Sequence, residues 1–565
     1  MNNRLDGGEA LLEAFRGLGV DFVISSPGSE WAPVWEAFAR QETTGSAGPR
    51  YIDVWHETLA VDIAIGYTLY TGRMQAVLLH AGAGLLQGTC GIHGAVLAEV
   101  PLLICSAEAV TYGERPGIDP GSQWYRNLSI VGGPHTLVSG IVKWANQVGS
   151  VETLYEFAKR AGELAQRTPW GPVYLNVPVE VLLDAWSDPQ FKMAVAPPPR
   201  RISPSEDIEQ LLRMVSAAEN PVILTESAGR SPHAFHALVA FADAFGIPVV
   251  ETQGTVSANF PRQHPLYLGS RLEPFMTTSD LVLLVACRAP WYPPSNKPPS
   301  ARTIVIDETP QRPHMVHQVL FADLYLEGDI AHTLSAAAGL APGTIDETRR
   351  VQRIERHSAT HRKLRADIEA AEAKASAGEA IAPVALVKTL RECLSGQTIY
   401  VDETITHSRV VQQHLDWSEP QHYFYVQGGL GQGIGVAIGI KMAAPDKPVV
   451  LLLGDGTFLY NPVVQALGAA KNNNTPILIV IFNNKKYLSM KFNHLRAYPD
   501  GVAVKHNLFH GVELDNQPPL HRFGEPYGMH CAEVSNLADL AATLSAAAVI
   551  VANGQTAIVN VALTT

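Results

Sequence analysis

Short apolar runs recur along the chain, and each ends in Gly, Ser, Asp, Glu, Asn or His. QAVLLHAGAG (75–84), VPLLICSAE (100–108), GPVYLNVP (171–178), NPVILTES (220–227) and DLVLLVACRAP (280–290) are followed by ARTIVIDE (301–308), QTIYVDE (397–403), KPVVLLLGDG (447–456) and TPILIVIFNN (475–484). Apolar residues follow one another instead of alternating with polar ones. That pattern predicts strands buried on both faces, as in parallel sheets covered by helices. Segments such as GEALLEAFRGLG and VVQALGAAKNN, lying between the runs, predict the covering helices. Repeated βα units place the chain in the α/β class, as doubly wound parallel sheets.

Two stretches break the pattern. VAPPPRRISPSE (195–206) reads as a Pro-rich linker, and 346–380 is charged and helical in character, then Ala/Gly-rich, with no strand. They divide the chain into 1–190, 200–340 and 382–565, each the size of one doubly wound domain. The first and third pieces read as distant copies. AIGYTLYTGRMQAVLLHAGAG (64–84) lines up with AIGIKMAAPDKPVVLLLGDG (437–456), with Gly66 opposite Gly439 and Pro101 opposite Pro476, at offsets of 373 and 375. The middle piece has strands without comparable loop chemistry.

Composition narrows the function. With 42 basic and 54 acidic side chains in 565 residues, the net charge of −12 argues against a nucleic-acid partner, which requires a basic face. Five isolated cysteines (90, 105, 287, 393, 531) form no CxxC pair and no metal-ligand spacing, which fits a reducing cytoplasm. MNNRLDGGEALLEAF lacks the basic and apolar regions of a secretion signal, and no apolar run reaches the ~20 residues needed to span a bilayer. The expectation is a cytoplasmic enzyme without a membrane partner.

In open parallel sheets ligands bind beyond the carboxyl ends of strands. Gly454-Asp455-Gly456 ends one predicted strand, and Asn483-Asn484 ends the next, with 26 residues between, Thr457 to Phe482. One right-handed crossover sets these two ends side by side. Glycines around the Asp let backbone approach a large anion. An Asp carboxylate, an Asn amide oxygen and a backbone carbonyl are hard ligands suited to Mg²⁺ that also binds a diphosphate. Either element alone is an ordinary turn or strand end. Together they resemble the cofactor signature of thiamine-diphosphate-dependent enzymes of the acetolactate synthase and pyruvate decarboxylase superfamily, and the resemblance runs through all three pieces.

The resemblance implies a pyrimidine-binding, a central and a diphosphate-binding domain. It implies Asp455, Asn484 and the carbonyl of Lys486 as Mg²⁺ ligands, with Gly454, Gly456, Thr457 and Tyr487 at the diphosphate. GGLG (428–431) matches the segment beneath the aminopyrimidine, with Gly428 in the turn and Leu430 imposing the bent cofactor conformation, and Asp402-Glu403-Thr404 matches another cofactor-contacting strand end. Glu57 in VWHETLAVDIAIGYTLYTGR matches the family glutamate that hydrogen-bonds the pyrimidine of a neighbouring subunit, so a homodimer or dimer of dimers is implied. Read without the family, Glu57 is a carboxylate at a helix N-terminus.

The closest motif resemblance is to benzoylformate decarboxylase. SSPGSE (25–30) places Ser29, and LLHAGAG (78–84) places His80, at that enzyme's catalytic serine and histidine. The chain departs from it at CRAPWYPPSN (287–296), which offers Trp291 and Tyr292 where a second histidine is expected, and after the Asn pair, where KKYLSMKFNH brings Met490, Asn493 and His494. A pocket of Trp291, Tyr292, Met490 and Asn493 predicts a hydrogen-bonding substrate in place of a simple aryl one. The implied activity is decarboxylation of a 2-oxo acid, with possible carboligation to an aldehyde. An acetolactate-synthase-like carboligase or a 2-hydroxyacyl-CoA lyase is the alternative.

Overall fold

The computed structural model describes residues 5–109, 119, 129–189, 192, 195–316, 318 and 320–564. Three all-parallel sheets follow one another along the chain. The first has six strands, β1 (Phe22–Ser25), β2 (Arg50–Asp53), β3 (Gln75–Leu78), β4 (Leu102–Ser106), β5 (Trp144–Gln147) and β6 (Val173–Asn176), in the order β2-β1-β3-β4-β6-β5. The central sheet has five, β7 (Pro221–Thr225), β8 (Val249–Glu251), β9 (Leu281–Val285), β10 (Arg302–Asp307) and β11 (Leu324–Glu327), in the order β11-β10-β9-β7-β8. The third repeats the topology of the first: β12 (Ile399–Glu403), β13 (Tyr423–Tyr425), β14 (Val449–Gly454), β15 (Leu478–Asn483), β16 (His530–Val534) and β17 (Ala557–Ala562), in the order β13-β12-β14-β15-β17-β16. The chain is therefore α/β with three doubly wound parallel-sheet domains. Every residue of β3, β4, β6, β7, β9 and β15 is buried, which is why these strands carry unbroken apolar runs.

The charged stretch between the second and third sheets is one helix, Glu347–Ala375, that returns from the central to the third domain. Near its end the Glu372 carboxylate takes two 2.8 Å hydrogen bonds from the Arg391 guanidinium and faces His414 Nδ1 at 2.8 Å, clamping the helix to the third domain. Arg262 joins the same two domains. Its guanidinium lies between the rings of Tyr267 (4.7 Å) and Trp417 (3.9 Å) and pairs with Glu251. At the switch point of the central sheet, where β7 and β9 diverge, a crevice lined by Trp170, Arg230, Glu308 and Asp329 opens against the first domain.

The two copies read from the sequence pack on each other. The helices Glu57–Thr71 and Gly433–Ala443 cross through a reciprocal contact. A methyl group at Gly66 would come within 2.0 Å of the Val436 carbonyl oxygen, and one at Gly439 within 2.0 Å of the Ile63 carbonyl oxygen. Both pairs join positions related by the offset, since 436 − 63 = 439 − 66 = 373. The seam is apolar, and residues of both domains (Ile63, Ala64, Val436, Ile440) belong to one continuous core.

Alanine at Gly66 or Gly439 is expected to destabilise the protein. Helix propensity alone favours Ala over Gly by about 1 kcal/mol, but the clash meets backbone that cannot give way, and overpacking costs about 1–3 kcal/mol. Thermal unfolding should show a lower midpoint for both variants and no loss for Gly396→Ala, where nothing lies within 4 Å. A midpoint for Gly439→Ala at or above wild type would contradict this packing.

Candidate active site

The crossover places β14 beside β15, with Gly454 paired to Phe482. Asp455 starts a short helix directly after β14, and Asn483 ends β15. The following turn is built by its own side chains. Asn483 Oδ1 accepts the Lys485 N–H (3.1 Å), Asn484 Oδ1 accepts the Lys486 N–H (2.9 Å), and Lys485 adopts a left-handed conformation with φ 55°. This brings Lys485 and Lys486 against Asp455, whose carboxyl burial pushes up to about 6 despite the backbone N–H groups of Gly456, Lys485 and Lys486. Asp455 Oδ2 is buried and has no hydrogen-bond partner. A buried oxygen left without a donor costs about 1–3 kcal/mol, which a cation beside it would offset.

The remaining residues of this end group around it. Gly456 faces the Tyr487 ring, which a methyl group there would meet at 2.3 Å, and the Tyr487 N–H donates to the Val512 carbonyl (2.8 Å). Thr457 is buried beside Gly454. Thr404 directs both its N–H (2.9 Å) and its hydroxyl (2.7 Å) to Asp402 Oδ1, so neither is spare for another acceptor. Gly428 and the half-buried Leu430 precede the Gly433 helix, with the Gln432 carboxamide filling the space in front of Gly428. Gln432 Nε2 donates to Asp62 Oδ1 (2.8 Å), a fully buried carboxyl of the Glu57 helix whose pKa burial raises well above the usual range.

The sequence placed Glu403 at a cofactor-contacting strand end but not its role, and it missed Asp62, Gln432 and His407. Glu403 accepts the N–H groups of Gly431, Gln432 and Gly433 at 2.9, 2.9 and 3.0 Å, and Asn461 Nδ2 at 3.3 Å, so it caps the helix behind GGLG. Burial nevertheless raises it to about 7. His407, buried, sets Nε2 3.5 Å from Asn484 Nδ2. These contacts join residues far apart in the chain, and no local spacing announces them.

A second group forms at the carboxyl ends of β1 and β3. Glu57 opens its helix, and its carboxylate and the His80 side chain lie on either side of Gly84, where a methyl group would meet both within 2.8 Å. His80 Nδ1 lies 2.7 Å from Glu30 Oε1, which also accepts the Ala81 N–H at 2.8 Å. Gly28 is required: a methyl group would come within 2.2 Å of His80 Nδ1 and 2.4 Å of the Glu30 carboxylate. The Glu30 hydrogen bond raises the His80 pKa against the effect of burial, and the Glu30 and Glu57 charges add to it. Ser29 is exposed and caps no helix, since Gly28 holds the cap position. Glu30 stood inside the SSPGSE motif, and a helix-start carboxylate is the signal that could have found it.

The structure removes Trp291 from the predicted substrate pocket. Trp291 is buried in the apolar core of the central domain with Val222, Leu224 and Leu284, because a flat ring fits the layer beneath β7 and β9. It lines no pocket. Tyr292 is 85% exposed, and Met490 and Asn493 lie on the open face of the helix Leu488–Ala497. In the KHNLFH stretch, the Phe509 ring packs edge-on against His494.

Three family descriptions match the chain in sequence: thiamine pyrophosphate enzyme, N-terminal TPP binding domain (residues 5–125), central domain (208–337) and C-terminal TPP binding domain (404–561). The chain belongs to the thiamine pyrophosphate enzyme family. It is 26% identical to the acetolactate synthase isozyme 3 large subunit of Escherichia coli, over 99% of this chain and 94% of that protein. It is 24% identical to the benzoylformate decarboxylase of Pseudomonas aeruginosa, over 88% and 89%. The solved benzoylformate decarboxylase from Polynucleobacter necessarius shares the fold, with a TM-score of 0.78 at 20% identity over 99% of this chain and 98% of that one.

Glu403 makes stability depend on pH. Its folded pKa, about 7, lies above the ordinary 4.5, so the folded state holds the proton more tightly between those values. This contribution is present below about 4.5 and is lost as pH rises through about 7. The stability of wild type relative to Glu403→Gln is expected to fall between pH 5 and pH 8 in chemical unfolding. A difference that rises over that window would contradict the assignment.

Proposed function

We propose that the protein is a thiamine-diphosphate- and Mg²⁺-dependent lyase that decarboxylates a 2-oxo acid, with optional transfer of the product carbon to an aldehyde. The observation that carries this reading is the buried, unpartnered Asp455 Oδ2 at a strand end next to the Asn483-Asn484 turn. Asp455, Asn484 and the Lys486 carbonyl are oxygen donors that would hold Mg²⁺. Gly454, Gly456 and Thr457 would admit the diphosphate, Tyr487 closing that side, and Gly428 and Leu430 would lie against the aminopyrimidine. When bound, the cofactor supplies a nucleophilic thiazolium carbon and takes up the electrons that departing CO₂ leaves behind.

The chain's own residues would orient groups and move protons. Glu57 would hydrogen-bond a pyrimidine nitrogen, His80 would donate a proton at the reacting carbon, and Ser29 would orient the substrate carboxylate. Within one chain the start of the Glu57 helix and the GGLG turn both lie against the helix Ala83–Leu97, since a methyl group at Gly88 would meet Glu57 Cβ at 3.7 Å and one at Gly429 would meet the Cys90 sulfur at 3.4 Å. The resemblance to the family supports a homodimer or dimer of dimers in which Glu57 would serve the cofactor held by a second copy. Resemblance to acetolactate synthases keeps carboligation open as the outcome after CO₂ loss, with the same residues in the same places.

The test is calorimetry and turnover. Full-length protein is expected to bind thiamine diphosphate only with Mg²⁺ and to release CO₂ from at least one member of a 2-oxo acid panel. Asp455→Ala should weaken cofactor binding by more than about 100-fold, since losing even an outer-shell partner of a metal site costs 10–100-fold. Wild-type cofactor affinity in that variant would overturn the site.

A further inference from the structure

Glu30 is a buried charged group at the β1 and β3 ends, with 2% of its side chain accessible, while the His80 side chain beside it is 30% exposed. A buried carboxylate is costly unless its oxygens are satisfied. Here Oε1 takes the Ala81 N–H and the His80 ring nitrogen together, in space that the missing side chain of Gly28 leaves open. A carboxylate only accepts, so the imidazole must donate from Nδ1.

We propose that Glu30 is a positioning residue that fixes the His80 proton on Nδ1 and so leaves Nε2 as the atom His80 offers to the substrate. Its catalytic part rests on the decarboxylase reading above; its geometric part does not. The groups facing the pair are the Glu57 carboxylate across Gly84 and the Glu108 carboxylate from the end of β4, which itself takes the Gly82 N–H at 3.1 Å. The Glu57 charge reinforces a protonated His80, and neither carboxylate takes the Nδ1 proton, which Glu30 already accepts. In turnover the doubly protonated ring would deliver its Nε2 proton to the reacting carbon, leaving the neutral Nδ1–H tautomer, and a solvent proton would restore the imidazolium.

The experiment reads the ring nitrogens of His80 in ligand-free full-length protein by ¹⁵N NMR, assigned with His80→Gln. The neutral ring is expected as the Nδ1–H tautomer, titrating above the ordinary histidine value. Glu30→Gln should lower that midpoint by about 0.5 unit or more and mix the tautomers. In turnover, the same variant should lose more than tenfold in kcat with cofactor affinity unchanged. A wild-type Nε2–H tautomer overturns the proposal even if Glu30→Gln does not fold. So does a Glu30→Gln variant that folds and titrates as wild type does. Wild-type protein that turns over no 2-oxo acid would refute the decarboxylase reading, and with it the catalytic part, while leaving the NMR result to decide the geometry.

Discussion

The reciprocal crossing of two glycine-notched helices is the constraint on which the rest of the molecule depends. Gly66 lets the backbone of one helix touch Val436, and Gly439 lets the other touch Ile63. The contact turns two separately wound sheets into one core, and both helices start at segments proposed to face the cofactor. One begins with Glu57, and the other follows GGLG. Asp62 and Gln432 add a buried hydrogen bond across the seam, so any displacement of one domain against the other is felt at both starts.

Buried carboxylates at neighbouring strand ends have different fates. Glu403 meets three backbone N–H groups and an amide; Asp402 meets the Thr404 N–H and hydroxyl and the Tyr423 hydroxyl. Both are consumed in shaping the turn and the helix start. Asp455 alone of the three keeps an oxygen that is buried and without a donor. At a strand end beside the Asn483-Asn484 turn, that oxygen is the one the proposed metal would meet.

The strands and the GDG and NN ends were legible because the information is local: continuous apolar runs fix the period, and a single crossover fixes which ends are neighbours. The 373-residue offset announced two copies, but nothing in it says that the copies pack on one another. Asp62, Gln432 and His407 escaped notice because their partners lie far away in sequence, and for the same reason the capping role of Glu403 was not legible. Glu30 escaped for the opposite reason, since an acidic residue at a helix start already has a sufficient local explanation. Trp291 was misplaced because an aromatic residue after a strand end reads equally as a pocket wall or as a core plug, and only packing separates the two.

The central claim is that Glu57 of one copy and the Asp455 turn of another act on one cofactor. Glu57→Gln and Asp455→Ala proteins, each deficient alone, can be unfolded, mixed and refolded together, then loaded with thiamine diphosphate and Mg²⁺. Exchange of the thiazolium C2 proton with deuterium then reports each site without any choice of substrate. With random pairing across a two-fold interface, half of the dimers are mixed and each regains one intact site of two, so exchange should return to about a quarter of the wild-type amplitude. No recovery in a preparation shown to contain mixed dimers would contradict a site shared between copies.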